Sequence, residues 1–177
     1  MRDNDALDNN PHISRQALGS LHQELFSWAL SRCDHKRTAA EDLMQQAYVE
    51  VLSGRARFDN KSALKTFMFG VVQNLARSRF RRISSRLRLL NTYLPREDML
   101  VDQVVVESDR DRQTVWNAVQ ALPPRQRDIT ELVFCRDMTV EQASSVMGVS
   151  VGTGRVHYDR AKKALALSLR LLRGERL

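Results

Sequence analysis

The segment Thr139–Leu165, TVEQASSVMGVSVGTGRVHYDRAKKAL, constrains the fold more than any other part of the chain. Thr139 followed three residues later by Gln142 has the spacing of a capping box and starts a short helix. Gly148-Val149-Ser150 then makes a tight turn, with glycine where the backbone needs a left-handed conformation. Ser150 can cap a second, basic helix running to about Leu169. Ala143 is small enough to let two helices cross closely. A short helix, a tight turn and a basic helix make a helix-turn-helix. On the second helix Gly154, Tyr158, Ala161 and Leu165 share one face, predicted to pack inward. Gly152, Val156, Asp159, Arg160 and Lys163 point away, flanked by Thr153 and Arg155. Arginine and lysine there reach phosphates, and Arg155 is placed to pair with a guanine edge. The alternative is a helical hairpin with a solvated basic face; turn and charge together favour DNA.

Two further helices precede this motif. Val115, Trp116, Val119 and Leu122 mark one inner stripe, and Ile129, Leu132 and Val133 another. Pro123-Pro124 separates them, since proline suits a first helical turn. Residues 111–173 thus make one helical domain.

Upstream, Leu18, Leu21, Leu25, Trp28 and Ala29 follow helical spacing. A second helix is predicted to start at Thr38, capped there with Glu41 three residues on. It turns Ala40, Leu43, Met44, Ala47 and Val51 inward and stops at Gly54. A basic loop, Arg55–Ala63, leads into a long helix from about Ser62 to Arg82. Leu64, Phe67, Met68, Val71, Val72 and Leu75 are its predicted buried face. Lys65, Thr66, Phe69, Gln73, Arg77 and Phe80 lie away from that stripe, and aromatics among cations suit unpaired bases. Packing of Phe69 and Phe80 against neighbouring helices fits equally well. The outer face of the second helix carries Glu41, Asp42, Gln45, Gln46, Val49 and Leu52, which suits either a docked protein or plain solvent.

The expected fold class is therefore all-α: two small helical domains joined by a flexible linker. Residues 1–13 read as a disordered lead-in, 14–83 as the first domain and 84–110 as the linker. Charge follows this division. The net charge is +7, and Arg55–Arg82 holds eight basic residues against one acid. The linker is slightly acidic, and Gln113–Leu177 has ten basic residues against six acidic. Such a surplus calls for an anionic partner.

Several function classes drop out. The four histidines are scattered, and no nucleophile triad, metalloprotease motif or glycine-rich phosphate loop occurs, so an enzyme is not expected. Cys33 and Cys135 lack metal-ligand spacing and read as free thiols in a reducing cytoplasm; no metal or cofactor is expected. No apolar run is long enough to be a signal segment or to cross a membrane, so no membrane partner is expected either.

Three stretches, taken in order, resemble bacterial RNA polymerase sigma factors of the extracytoplasmic-function type. AAEDLMQQAYVEVL is similar to that family's core-binding helix. FDNKSALKTFMFGVVQNLARSRFRR is similar to its promoter-melting and minus-ten segment. LPPRQRDITELVFCRDMTVEQASSVMGVSVGTGRVHYDRAKKAL is similar to its minus-thirty-five domain. The resemblance implies core RNA polymerase and promoter DNA as partners; a controller in another protein, an anti-sigma factor or a regulatory kinase, is the further expectation. It places Glu41, Asp42, Gln45, Gln46 and Val49 on the polymerase clamp. Phe58, Asn60, Lys61 and Ser62 fall in the loop that holds a flipped minus-ten base. Lys65, Thr66, Phe69, Asn74, Arg77 and Arg81 fall along the melted strand. Thr153, Arg155, Val156, Asp159, Arg160 and Lys163 meet the minus-thirty-five element.

The chain departs from the family pattern at named positions. Phe67 replaces a common Trp, and Ser78 a common Asp. Ala39 and Gln46 stand where acids are frequent. Gly154 replaces a common Val, at a cost of about 1 kcal/mol in helix propensity. The thinned acidity suggests that added negative charge could aid docking, with Thr38, Ser53, Ser62 and Thr66 as candidate phosphorylation sites. A helix-turn-helix regulator acting without polymerase, and a protein adaptor with weak DNA contact, are the competing readings.

Overall fold

The computed structural model describes the backbone of residues 6–7, 9–90 and 110–172, and side chains within 9–85 and 114–170. The predicted linker segment around Pro95, Glu97, Asp98 and Asp102 lies outside the described residues. The chain divides into two compact units, Met1–Val101 and Asp102–Leu177.

The first unit is three helices and a short ribbon. Strands β1 (Ala6–Leu7) and β2 (Asn10–Ser14) pair antiparallel. Helices α1 (Arg15–Arg32), α2 (Arg37–Leu52) and α3 (Leu64–Leu90) follow. Leu25, Trp28 and Ala29 of α1 meet Ala40, Leu43, Ala47 and Val51 of α2 and Met68, Phe69 and Val72 of α3, all fully buried. Trp28 is central: Phe69 stacks on it at 5.8 Å, and the Arg32 guanidinium lies 4.1 Å above its ring.

Four expectations for this unit are corrected. Residues 9–13 are not a loose lead-in: Ile13 is fully buried, Asn10 is nearly so, and Ser14 caps α1 through the Ala17 amide at 3.0 Å. An isolated apolar residue in a polar stretch gives no periodic signal, and Ile13 is one. Helix α2 begins one residue before Thr38 and has no side-chain cap; the left-handed residues Asp34 and His35 turn the chain into it, and Glu41 pairs with Arg37 instead. The buried face of α3 is rotated from the predicted stripe. Thr66, Phe69 and Gln73 are buried with Met68 and Val72, while Leu64, Phe67, Val71 and Leu75 are only half-buried. Phe69 goes inward because Trp28 offers it a flat partner, and Thr66 and Gln73 lie on the same side of the helix. Finally, Phe58 of the basic loop is buried against Phe67, with ring centroids 5.1 Å apart.

The second unit packs α4 (Arg110–Gln120), α5 (Pro124–Thr130), α6 (Val140–Met147) and α7 (Val151–Leu172). Pro123 and Pro124 start α5 as expected, and α5 runs on into a π-helical turn, Glu131–Cys135. Ile129, Leu132, Ala143, Val146, Met147 and Ala161 make its core. Val115 and Trp116 were expected inside, but both are exposed; Ala118 and Leu122 face inward on that segment. A near-buried ion pair, Arg136 to Glu131 at 3.0 Å, ties the π turn to the loop that follows it. Among the described residues no helix is long and apolar enough to cross a membrane.

Candidate nucleic-acid and polymerase interface

The helix-turn-helix forms as its local signals require. Thr139 and Gln142 make the reciprocal capping box, with bonds of 3.2 and 2.9 Å. Gly148 ends α6 at φ 61°, a left-handed cap where a β-carbon would be strained. Ser150 Oγ accepts the Thr153 amide at 3.2 Å and opens α7.

Gly154 is buried at the crossing of α6 and α7. A β-carbon there would overlap Ser144 Oγ, and would lie 3.1 Å from Ser144 Cβ and 3.5 Å from Ile129 Cδ1. Ser144 is itself fully buried and donates to the Val140 carbonyl at 2.6 Å. The glycine therefore removes no packing: the serine occupies the space that a larger residue at 154 would fill.

That inward seat turns Gly152, Thr153, Arg155, Val156, Asp159, Arg160 and Lys163 to the surface, where all are exposed. Arg155 reaches back to Glu141 at 2.9 Å across an exposed surface. The hydrogen bond from Arg155 holds the Glu141 carboxyl below its ordinary range. Asp159 pairs with Lys162 at 3.0 Å, and Lys162 also lies 4.7 Å from the Tyr158 ring. Glu141 had no sequence signal as a neighbour of Arg155, because the two belong to different helices.

In the first unit the outer face of α2 is open: Glu41, Asp42, Gln45, Gln46, Val49 and Leu52 are all exposed. Asp42 nonetheless has a partner in the fold, Arg79 of α3 at 3.3 Å, and the same guanidinium donates to the Ala39 carbonyl at 3.0 Å. Arg79 was not expected to bear on this face.

The basic loop between α2 and α3 divides in two. Phe58 is its buried anchor. Asp59, Asn60, Lys61 and Ser62 are exposed, with Asn60 in the left-handed region at φ 59°. Asp59 accepts the Lys61 amide at 3.2 Å and pairs with its ammonium at 2.6 Å, which lowers the Asp59 carboxyl and raises the Lys61 amine.

Along α3 the predicted strand-binding set separates. Asn74 and Arg81 are exposed and Arg77 is half-buried. Lys65 is half-buried and tied to Glu24 of α1 at 2.6 Å. Thr66 and Phe69 are in the core, so neither reaches a strand lying on the surface, and Thr66 is no accessible phosphorylation site. Of the two aromatics read as stacking candidates, only Phe80 is exposed, at 71%. Both thiols are pushed above the ordinary cysteine value, chiefly by burial, so neither Cys33 nor Cys135 is activated.

Comparison with known proteins gives the same two-part division. Residues 18–86 match the family model described as Sigma-70 region 2, and residues 112–165 match Sigma-70, region 4. The chain is 24% identical over 161 residues to the ECF RNA polymerase sigma factor SigX of Bacillus subtilis, covering 87% of this chain and 82% of that one. It is 27% identical over 172 residues to the ECF RNA polymerase sigma factor SigF of Caulobacter vibrioides, covering 93% and 89%. Among solved structures, the fold is similar to the sigma factor RpoE bound to the anti-sigma factor NepR from Bartonella quintana, with a TM-score of 0.69 at 22% identity, covering 88% of this chain and 96% of that one. It is also similar to CnrH in complex with the cytosolic domain of CnrY, with a TM-score of 0.57 at 21% identity, covering 89% and 90%. Both family models in order, and curated relatives matched over most of their length, place the chain in the sigma-70 family as an extracytoplasmic-function sigma factor, which binds core RNA polymerase and promoter DNA and directs transcription initiation.

Proposed function

We propose that the work is divided by surface. The outer face of α2, through Glu41, Asp42, Gln45, Gln46 and Val49, docks on the polymerase clamp. The loop bearing Asn60, Lys61 and Ser62, with Asn74, Arg77 and Arg81 behind it, holds the melted minus-ten strand. The outer face of α7, through Thr153, Arg155, Val156, Asp159, Arg160 and Lys163, enters the minus-thirty-five major groove. The chain acts by binding, without catalysis of its own, and works in the cytoplasm where the polymerase is.

The observation that carries this reading is the exposed face of α7, cationic at Arg155, Arg160 and Lys163 and seated by the glycine-serine contact beneath it. An isolated duplex-binding regulator would also use that face. The open mixed face of α2, with exposed Val49 and Leu52 beside Glu41 and Asp42, favours polymerase docking in addition. Of the two similar structures, RpoE is in complex with the anti-sigma factor NepR and CnrH with the cytosolic domain of CnrY. An anti-sigma factor is the controller favoured here; phosphorylation at Thr38, Ser53 or Ser62 is the second route.

Direct titration of labelled chain with core polymerase tests the docking surface. Asp42→Lys is expected to weaken binding several-fold while leaving the helical circular dichroism intact, because Asp42 is exposed and its pair with Arg79 lies at the surface. Unchanged affinity would remove α2 from the interface.

A further inference from the structure

The short N-terminal ribbon does something for which the helices have no use of their own. Asn10 is 2% exposed, and its side-chain amide bonds three backbone groups far along the chain. Its Nδ2 donates to the Val51 carbonyl at 2.6 Å and the Ala56 carbonyl at 3.1 Å, and its Oδ1 accepts the Phe58 amide at 2.9 Å. Asn9 adds a bond to the Leu52 carbonyl at 2.8 Å. Val51 and Leu52 close α2, where helix carbonyls lack intrahelical partners. Ala56 and Phe58 begin the basic loop. One side chain thus joins the end of the docking helix to the start of the loop.

The surroundings are shaped for this. Gly54 has φ +73°, and a β-carbon on it would press on Asn9 Cβ at 3.0 Å, so the ribbon passes over a residue that must be glycine on both counts. Ile13 anchors the ribbon in the core, and Phe58 is held from below by Phe67. Beyond Phe58, residues 59–63 are exposed, and the ties they make are local: Asp59 to Lys61, Ser62 to Ala63, and the Ala63 carbonyl to the Phe67 amide that opens α3. The exposed arc takes its position from the Asn10–Phe58 clasp at one end and the first turn of α3 at the other.

We infer that Asn10 is a positioning residue for promoter melting: it fixes the loop that receives the unpaired minus-ten base, although it touches no DNA itself. This rests on the reading of residues 58–64 as the base-holding loop. A loop ordered before DNA arrives loses less freedom on binding, so removing the clasp should weaken DNA capture more than polymerase docking.

The test uses holoenzyme assembled from the full chain and core polymerase. The probe is a fork-junction DNA whose single-stranded tail is selected from a random pool by wild-type holoenzyme. In Asn10→Ala, trypsin should cut after Arg57 and Lys61 roughly tenfold faster, and fork-DNA affinity should fall roughly tenfold, while core affinity stays within about twofold. A merely structural role would lower core and DNA affinity together, and that result overturns the inference. If Asn10→Ala does not fold, Asn10→Ser carries the same measurements, since its shorter hydroxyl stays polar but cannot reach all three backbone groups.

The double variant Asn60→Ala/Lys61→Ala separates the two levels. If it leaves fork-DNA affinity unchanged, or if the wild-type holoenzyme selects no tail, the loop reading fails and takes the inference with it. If it weakens the fork complex while an opened Asn10→Ala loop binds as tightly as wild type, the inference alone fails.

Discussion

The two units are held by polar contacts of different reach. In the first, Asn10 bonds residues 41 to 48 positions away, and Arg79 reaches 37 to 40 positions back to Asp42 and Ala39. In the second, the capping box spans three residues, the Ser144 bond four and the Arg136–Glu131 pair five. Arg155 to Glu141 spans 14, and Arg125 to the Met147 carbonyl 22. The second unit is specified locally, turn by turn. The first unit is closed by ties between distant segments, so its loop geometry depends on the whole unit being folded.

The widest difference in consequence should come from the Arg136–Glu131 pair, whose side chains are only 13% and 6% exposed. Removing one partner breaks a near-buried charge pair, at about 3–5 kcal/mol. Arg136→Ala should therefore destabilise the second unit by that order while the first unit stays folded. Segment-resolved hydrogen exchange in denaturant reads both at once; equal loss in α1–α3 would mean that the units are not independent.

Next in size is the crossing of α6 and α7. Gly154→Val should cost about 1–3 kcal/mol through its clash with Ser144. Ser144→Ala should recover much of that in the double variant, because it removes the atom in the way. Chemical denaturation of the four proteins gives the coupling, and strictly additive effects would show that the two side chains do not share the space.

Arg155→Ala comes third, and it acts on DNA rather than on stability. Loss of a base contact should cost about 1–3 kcal/mol on the preferred duplex and less on others, whereas loss of a phosphate contact is uniform across sequences. Holoenzyme binding to a duplex panel distinguishes the two, and wild-type affinity throughout would take Arg155 out of the interface.

The smallest effect is electrostatic. The Glu141 carboxyl sits below its unfolded value because of Arg155. Its contribution is therefore present above the ordinary carboxylate range and is lost as pH falls through the depressed folded value. Both side chains are well exposed, so the effect is slight. NMR titration of the Glu141 carboxyl should show its midpoint rise towards the ordinary value in Arg155→Ala; an unmoved midpoint contradicts the pair.

This contrast in reach also explains what could be read in advance. The capping box at Thr139, the left-handed Gly148, the Pro123-Pro124 start and the exposed face of α7 are written in adjacent residues, and all are present. The exposed face of α2 was legible for the same reason: one helix, one period. The cap read at Thr38 failed locally, where Asp34 and His35 turn the chain and Arg37 takes Glu41, but the larger failures depended on partners from elsewhere. Phe69 and Thr66 left the surface because Trp28 of another helix draws that side of α3 into the core. Phe58 left the surface because Asn10 and Phe67 hold it in. Asn10 itself carries no local pattern, since its partners are three backbone groups that any sequence would supply. Gly154 reads in sequence only as a cost in helix propensity, because the Ser144 side chain that it makes room for lies on another helix.

Run-off transcription tests the central claim most directly. Core polymerase and the purified chain are incubated with fragmented genomic DNA from the encoding organism, and transcript 5′ ends are mapped. New starts should appear only with the chain present, preceded by two shared motifs, the upstream one weakened by Arg155→Ala and the downstream one by Asn60→Ala/Lys61→Ala. A set of 5′ ends identical to that of core polymerase alone would contradict the account.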